Sequence, residues 1–293
     1  MQIEERPVAW DASLGRGLDR VHIDGSRPLD DVAHATMRSL RRMGFALLDG
    51  LANPEDKQGS SRLEVFGQAL GRIVPQSPRG ELIEDVRDMS DREASDDRGY
   101  RSRGELAPHS DPPTLLVLHC VRAAKSGGES HLVSVAAICD ALAAADPTAL
   151  ETLREPFPRW CVEGQYGMPA GPEGVFRPVL TSRGGVPSCL LYRPFIEKAA
   201  AALGAPLTSV QTSALDSFDR HSHDARLALR FTLAPGQTLV LHNRSVLHAR
   251  TDYEDWPEFE RRRHLKRLWI DAPEALPVDP RHELGDLFEQ RGR

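Results

Sequence analysis

Apolar positions recur along the chain with two different periods. Over residues 30–42, Val32, Met37 and Leu40 fall on one face of a 3.6-residue repeat, which predicts an amphipathic helix. Gly44-Phe-Ala-Leu-Leu-Asp-Gly50 is a short apolar run closed by turn residues and predicts a buried strand. Residues 61–71 return to helical spacing through Leu63, Phe66 and Leu70. Residues 76–104 are rich in charge, poor in apolar side chains, and read as loop. Thr114-Leu-Leu-Val-Leu-His119-Cys120-Val121 predicts a second buried strand, and the two glycines of Lys125-Ser-Gly-Gly-Glu-Ser130 predict a turn. A long insert over about 135–230 holds a helix near 134–154, extended segments near 158–163 and 174–192, and a helix near 207–220. Residues 226–248 return to strand. Short strands with Gly/Pro turns and a few early helices predict a mainly β protein with flanking helices (α+β). Its expected core is a double-stranded β-helix, the cupin-like jelly roll.

At 293 residues and 40% hydrophobic content, the chain is expected to form one domain over 1–293. A net charge of −6 argues against a nucleic-acid partner, which needs a basic face. The basic run Arg261-Arg-Arg-His-Leu-Lys-Arg267 is read as a strand carrying anion clamps, with Arg261 and Arg262 solvated. Cysteines at 120, 139, 161 and 189 lack C-x-x-C spacing, so structural zinc and disulfides are not expected. The opening Met-Gln-Ile-Glu-Glu-Arg lacks the apolar core of a leader, and no stretch is apolar enough to span a bilayer. The expected location is the cytoplasm and the expected partner a small molecule. No membrane or nucleic acid is expected, and homo-oligomerisation stays open.

The chemistry concentrates in His109-Ser110-Asp111 and His248. On an extended segment, side chains alternate, so His109 and Asp111 share a side. A second histidine from far along the chain completes a set of two imidazoles and one carboxylate. Such a set holds non-haem Fe(II) on one face and leaves the opposite positions open. Arg263, fifteen residues beyond His248, offers a planar cation suited to a carboxylate. Together they point to an oxygenase that uses a 2-oxo acid. H-x-D alone is weak among 11 histidines and 43 acidic residues, where a surface His beside a solvated Asp is the common case.

The ordered series H-S-D, S-G-G-E-S, P-G-Q, H-N-R, H-A-R-T and R-H-L-K-R-L-W is far more specific. From about residue 30 to about 272 the chain resembles the taurine dioxygenase (TauD/TfdA) / clavaminate synthase-like family of Fe(II)/2-oxoglutarate oxygenases. The resemblance implies that His109, Asp111 and His248 are iron ligands, and that Arg263 and Ser130 hold the far carboxylate of 2-oxoglutarate. It implies O₂ as the second co-substrate and a cover over the active site at 76–104. Arg267 matches the arginine that binds an acidic group on the substrate. That substrate would be a small acidic or amino-acid-like molecule, reaching a pocket that includes Tyr166 and Tyr192-Arg193. The contrasting role for Arg267 is structural, paired with Asp271 or Glu260. The carboxylate of Asp111 fills a position that halogenating relatives leave open. Hydroxylation is therefore expected, with desaturation, cyclisation and epoxidation using the same ligands.

Two positions depart from the pattern. His242-Asn243-Arg244 stands where Asp-Asn-Arg is frequent, so His242 is either a spare polar group near the metal or an ordinary strand histidine. Glu105 precedes His109 by four, and reads either as a contact to a cationic group on the substrate or as a partner of Arg101 or Arg103. Two other classes stay open: a cupin-type metal-dependent hydrolase or isomerase, and a non-catalytic binding protein on the same scaffold. Arg263 with Ser130 speaks against the first, and the intact triad against the second.

Overall fold

The computed structural model describes residues 9–53, 57–76, 80–91, 99–161, 170–172 and 176–283. A first group of elements runs β1 (His22–Asp24), α1 (Leu29–Met43), β2 (Phe45–Asp49), α2 (Lys57–Leu70), β3 (Arg72–Val74) and β4 (Ile83–Val86). A second runs β5 (Leu106–His109), β6 (Leu115–Arg122), β7 (Ser130–Ser134), α3 (Val135–Ala145) and α4 (Pro147–Thr152). The insert continues with β8 (Leu180–Arg183), β9 (Val186–Cys189), α5 (Arg193–Ala202) and α6 (Ser209–Ser222). The chain closes with β10 (Ala228–Phe231), β11 (Gln237–His242), β12 (Val246–Arg250) and β13 (His264–Asp271).

Two sheets carry the core. The larger runs β1-β2-β11-β6-β13-β3, with β4 also paired to β13. Only β1 and β2 are parallel in it. The smaller is the antiparallel order β10-β7-β12-β5. One apolar cluster draws Leu116, Leu239, Leu241, Leu265 and Trp269 from the large sheet and Leu132, Leu229 and Val246 from the small one. The two sheets therefore face each other, as the sequence pattern predicts for a jelly roll. Outside the large sheet, Val32, Leu40, Leu63 and Phe66 of α1 and α2 cover Leu48, Val117, Val240 and Ile270. Outside the small sheet, Ile138, Leu142, Leu215 and Phe218 of the insert helices cover Val133 and Leu247. Leu241 has no exposed surface, and truncating it to alanine costs about 2–5 kcal/mol.

These layers say which way each strand side chain points, because neighbours alternate across a sheet. On β12, Val246 joins the core between the sheets and Leu247 the outer cluster, so His248 and Arg250 point inward. On β7, Leu132 is inward and Val133 outward, so Ser130 is inward. On β13, Leu265 and Trp269 are inward and Leu268 and Ile270 outward, so Arg267 is inward.

Three elements and one residue differ from expectation. The helix near 134–154 is two helices, because Pro147 cannot continue α3 and Asp146 caps α4 by accepting from the Ala149 N–H. Helix α5 lies in an alanine-rich stretch whose apolar spacing is weak. The third is β4, which sits in the stretch read as loop; its four residues, Ile-Glu-Asp-Val, gain strand geometry from pairing with β13. The fourth is Gly44, which ends α1 with φ +75 and carries no side chain because a Cβ would lie 2.6 Å from Val246 Cγ2.

Candidate active site

Ladder register brings the two histidines together. His248 pairs with His109 across β12 and β5, and their ring centroids lie 4.2 Å apart. Asp111 follows β5 by two residues and turns its carboxylate to both rings. Its Oδ1 lies 3.9 Å from His109 Nε2 and its Oδ2 3.9 Å from His248 Nε2. One ligand atom from each of the three residues lies within 4.8 Å of the others. His109 Nδ1 donates to the Ala107 carbonyl at 2.8 Å, which fixes the tautomer and leaves Nε2 its lone pair. Burial pushes the His248 imidazole down to about 3, so the ring is neutral and able to ligate at neutral pH. Burial alone would raise the Asp111 carboxyl. Arg267, His248, His109 and the Trp269 indole outweigh it and hold the group below its ordinary range. The chemistry of this donor set fits Fe(II).

Asp111 has two direct neighbours on β13. The Trp269 indole N–H donates to its Oδ2 at 3.3 Å, and Arg267 Nη1 stands 3.7 Å from the same oxygen. Arg267 also donates from Nε to Gln76 Oε1 at 2.7 Å, and Gln76 returns a bond to the Arg267 carbonyl. The alternative of a pairing with Asp271 does not hold, since Asp271 pairs with Arg72.

A second, cationic end lies along the same inner faces. Arg263 is 6% exposed, and its Nη1 is buried with no hydrogen-bond partner. Arg250, also 6% exposed, gives bonds to the carbonyls of Ser102 and Gly104 but leaves its Nη1 buried and unpartnered. The Tyr253 hydroxyl is a third buried polar group without a partner, under both guanidiniums: Arg250 lies 4.8 Å and Arg263 5.3 Å from the ring centroid. Ser130 stands beside Arg250 in the β12–β7 register. Burial lowers both arginines, Arg250 to about 10. Gly128 has φ +71, and a Cβ there would lie 3.4 Å from Arg263 Nε, so the two-glycine turn makes room for this arginine. Buried donors without acceptors are costly. Here two buried guanidiniums with open donors converge on one tyrosine ring.

Other expected residues fall outside these two ends. Glu105 is exposed at the start of β5, with no partner among the described residues, while Arg101 pairs with Glu84 and Arg103 with Asp88. His242 is a buried strand histidine bonded to Ser245 and is not in the ligand group. Arg262 is not solvated: it is 4% exposed, bidentate to Asp91, and 3.8 Å from the fully buried Asp88. The loop that contains Asp88 covers it, which no local pattern predicts. Arg193 pairs with Glu197, Asp216 and Asp219 within the insert. Tyr192 stacks edge-on to His109 at 5.5 Å, and Tyr166 lies outside the described residues. Sequence reading missed Arg250, Trp269 and Gln76. Arg250 had a signal, since it follows His248 by two and must share its face.

The described helices include none long and apolar enough to cross a membrane. The sequence profile of the family described as taurine catabolism dioxygenase TauD, TfdA matches residues 10–269. FR-33289 synthase of Streptomyces rubellomurinus is 27% identical over 277 residues, covering 92% of this chain and 79% of that protein. Uridine-5'-phosphate dioxygenase of an Amycolatopsis species is 32% identical over 160 residues, covering 54% of this chain and 56% of that protein. Among solved structures, asparagine oxygenase with Fe(II), 3-hydroxyasparagine and succinate superposes with a TM-score of 0.63 at 19% identity, over 89% of this chain and 90% of that one. The non-haem iron oxygenase OrfP with Fe and 2-oxoglutarate superposes with a TM-score of 0.60 at 17% identity, over 89% and 85%. With a profile match that spans nearly the whole core and a donor set in the right place, the chain belongs to the TauD/TfdA family of Fe(II)/2-oxoglutarate-dependent dioxygenases.

Proposed function

We propose that the chain oxidises an unactivated C–H bond of a small anionic, amino-acid-like molecule, with His109, Asp111 and His248 holding the iron. The carrying observation is the pairing of the His109–Asp111–His248 triad with two buried arginines that each keep an unpartnered Nη1. Bound iron, with 2-oxoglutarate and O₂, supplies the C–H oxidation and the decarboxylation to succinate and CO₂. The chain itself orients and excludes. Arg263, with Arg250, Tyr253 and Ser130 beside it, receives the far carboxylate of 2-oxoglutarate. Arg267 and Gln76, next to Asp111, receive an acidic group of the substrate. Tyr192, edge-on to His109, shapes the entrance. The relative named for uridine 5'-phosphate and the family described for taurine support an anionic substrate, because each of those molecules carries an oxyanion.

The proposed cover is segment 76–104, of which residues 77–79 and 92–98 lie outside the described residues. Its described part holds β4 paired to β13, and Asp88, which accepts from Ser90 and Arg103. Glu105 has no role in this reading. The test is succinate formation and O₂ uptake with Fe(II) and 2-oxoglutarate, against a panel of small carboxylates, sulfonates, phosphates and amino acids. Stimulation by an acid but not by its amide supports the proposal. No succinate with any member, nor in its absence, would sink it.

A further inference from the structure

The loop that carries Asp111 is short of its own hydrogen bonds. Asp111-Pro112-Pro113-Thr114 has two successive residues without an N–H, and proline also forces the residue before it into extended backbone. Four carbonyls in a row, 111 to 114, therefore need donors from elsewhere. Asn243 and Arg244 supply all four. Arg244 Nη1 donates to the Asp111 carbonyl at 2.9 Å, and Nη2 donates to the Pro112 carbonyl. Asn243 Nδ2 donates to the Pro113 carbonyl at 3.1 Å, and its backbone N–H to Thr114 at 2.9 Å. The planar fork of a guanidinium fits two adjacent carbonyls, which a lysine cannot span. Arg244 is 2% exposed.

The Nε of Arg244 looks the other way. Arg244 Nε donates to the carbonyl of His282, at 3.3 Å, in the turn Pro280–His282 beyond β13. His282 is 1% exposed and has its own fixed seat. Its Nε2 donates to the Pro178 carbonyl at 2.9 Å, so Nδ1 accepts, from the Ser188 hydroxyl at 2.7 Å and the Thr181 hydroxyl at 3.2 Å. A C-terminal turn and two insert strands are thus tied through one arginine to the backbone of a metal ligand.

We propose that Arg244 is the positioning residue for Asp111, and that the 279–283 segment sets Arg244 through His282. The inference rests on the reading of Asp111 as an iron ligand. Displacing the Asp111 backbone moves its carboxylate relative to His109 and His248, so metal affinity and ligand geometry should change together. Outer groups that orient a metal ligand typically matter by about 10–100-fold in metal affinity.

The test uses Co(II) as a probe metal, with its visible ligand-field bands and dissociation constant read on full-length protein, and Tm measured alongside. Arg244→Lys should weaken Co(II) binding by about 10-fold or more and change the band envelope. His282→Leu, one step further from the metal, should act in the same direction by about a few-fold, below that range. His282→Gln should restore both readouts, since its amide can accept from the hydroxyls and donate to Pro178. The His282 pair carries the test if Arg244→Lys does not fold. Wild-type affinity and bands in the His282→Leu protein, even with a lowered Tm, would make the segment merely structural and overturn the proposal. Asp111→Ala is the control. If it binds Co(II) like wild type, the ligand assignment itself fails; if it loses Co(II) while Arg244→Lys and His282→Leu do not, only the positioning role fails.

Discussion

The metal triad and the Arg250–Arg263 pair handle charge in opposite ways. At the metal end the charges compensate: the Asp111 carboxylate sits against Arg267 and between two imidazoles, and Trp269 gives it a hydrogen bond. At the other end two guanidiniums of like sign are buried together, and each keeps an Nη1 without an acceptor. A protein interior tolerates the first arrangement by itself. The second holds unmet donors and like-charge repulsion, a cost that an incoming anion removes. In the proposed function the contrast separates the seat for a cation from the seat for a carboxylate.

The largest expected effect tests the metal end. Alanine at His109, Asp111 or His248 should reduce bound Fe(II) and succinate formation by more than about 10²-fold, beyond what loss of an outer partner does. Metal analysis and succinate assays check this, and near-wild-type turnover in any one variant removes that residue from the triad.

The next tests the cationic end by grading it. Arg263→Ala should weaken 2-oxoglutarate binding by about 10²-fold, Arg250→Ala by about 10-fold, and Ser130→Ala by about 5-fold. Iron content should be unchanged in all three. Titration of 2-oxoglutarate would reverse the assignment if the Arg250 variant lost more than the Arg263 variant.

Arg267 belongs to the metal end by position yet is proposed to read the substrate, so it sharpens the boundary between the two ends. Arg267→Ala should lower coupled oxidation of an acidic substrate by about 10-fold or more and leave 2-oxoglutarate affinity in place. An amide analogue should lose much less. Equal losses for acid and amide would mean that Arg267 serves only Asp111 and the fold.

The smallest effect concerns stability against pH. Burial depresses His119 to about 4 and His242 and His282 to about 3, from an ordinary 6.5. A histidine whose folded value is depressed stabilises the fold above its unfolded value, and that contribution is lost as pH falls toward the folded value. Tm should therefore begin to fall below about pH 6.5, well above the carboxylate range, by several degrees by pH 5. A Tm that stays level down to pH 4.5 would mean that these rings are charged in the folded protein.

Arg263 and Ser130 were picked out by the resemblance of the R-H-L-K-R and S-G-G-E-S strings to the family, and their hold on a carboxylate is part of the proposed function. The pairing of His109 with Asp111 was legible in the sequence because period-two alternation is a local rule. Helices α1, α2 and α6 were legible for the same reason, their apolar spacing being strong. Strand β4 was not, because Ile83–Val86 becomes a strand only by adding to β13, a neighbour about 180 residues away. Arg262 was misread as solvated because its covering partner, Asp91, is equally remote. The pairing of Arg193 with Asp216 and Asp219 of α6 is likewise not implied by its neighbours in sequence.

The sequence by itself determined the alternation of inward and outward side chains, the loop-breaking prolines after Asp111, and the kinds of group available for a metal and an anion. Those are properties of single residues and of near neighbours. Tertiary structure alone decided that β12 pairs with β5 in the register that joins His248 to His109, and that Arg250 and Arg263 share one buried space. It also decided that Asn243 and Arg244 answer the carbonyls left open by the prolines. The physical reason is that burial and unmet hydrogen-bonding capacity depend on which groups strand pairing brings together, for His248 with His109 and Arg244 with Asp111 across more than a hundred residues, and the sequence around either partner does not contain the other side of such a contact.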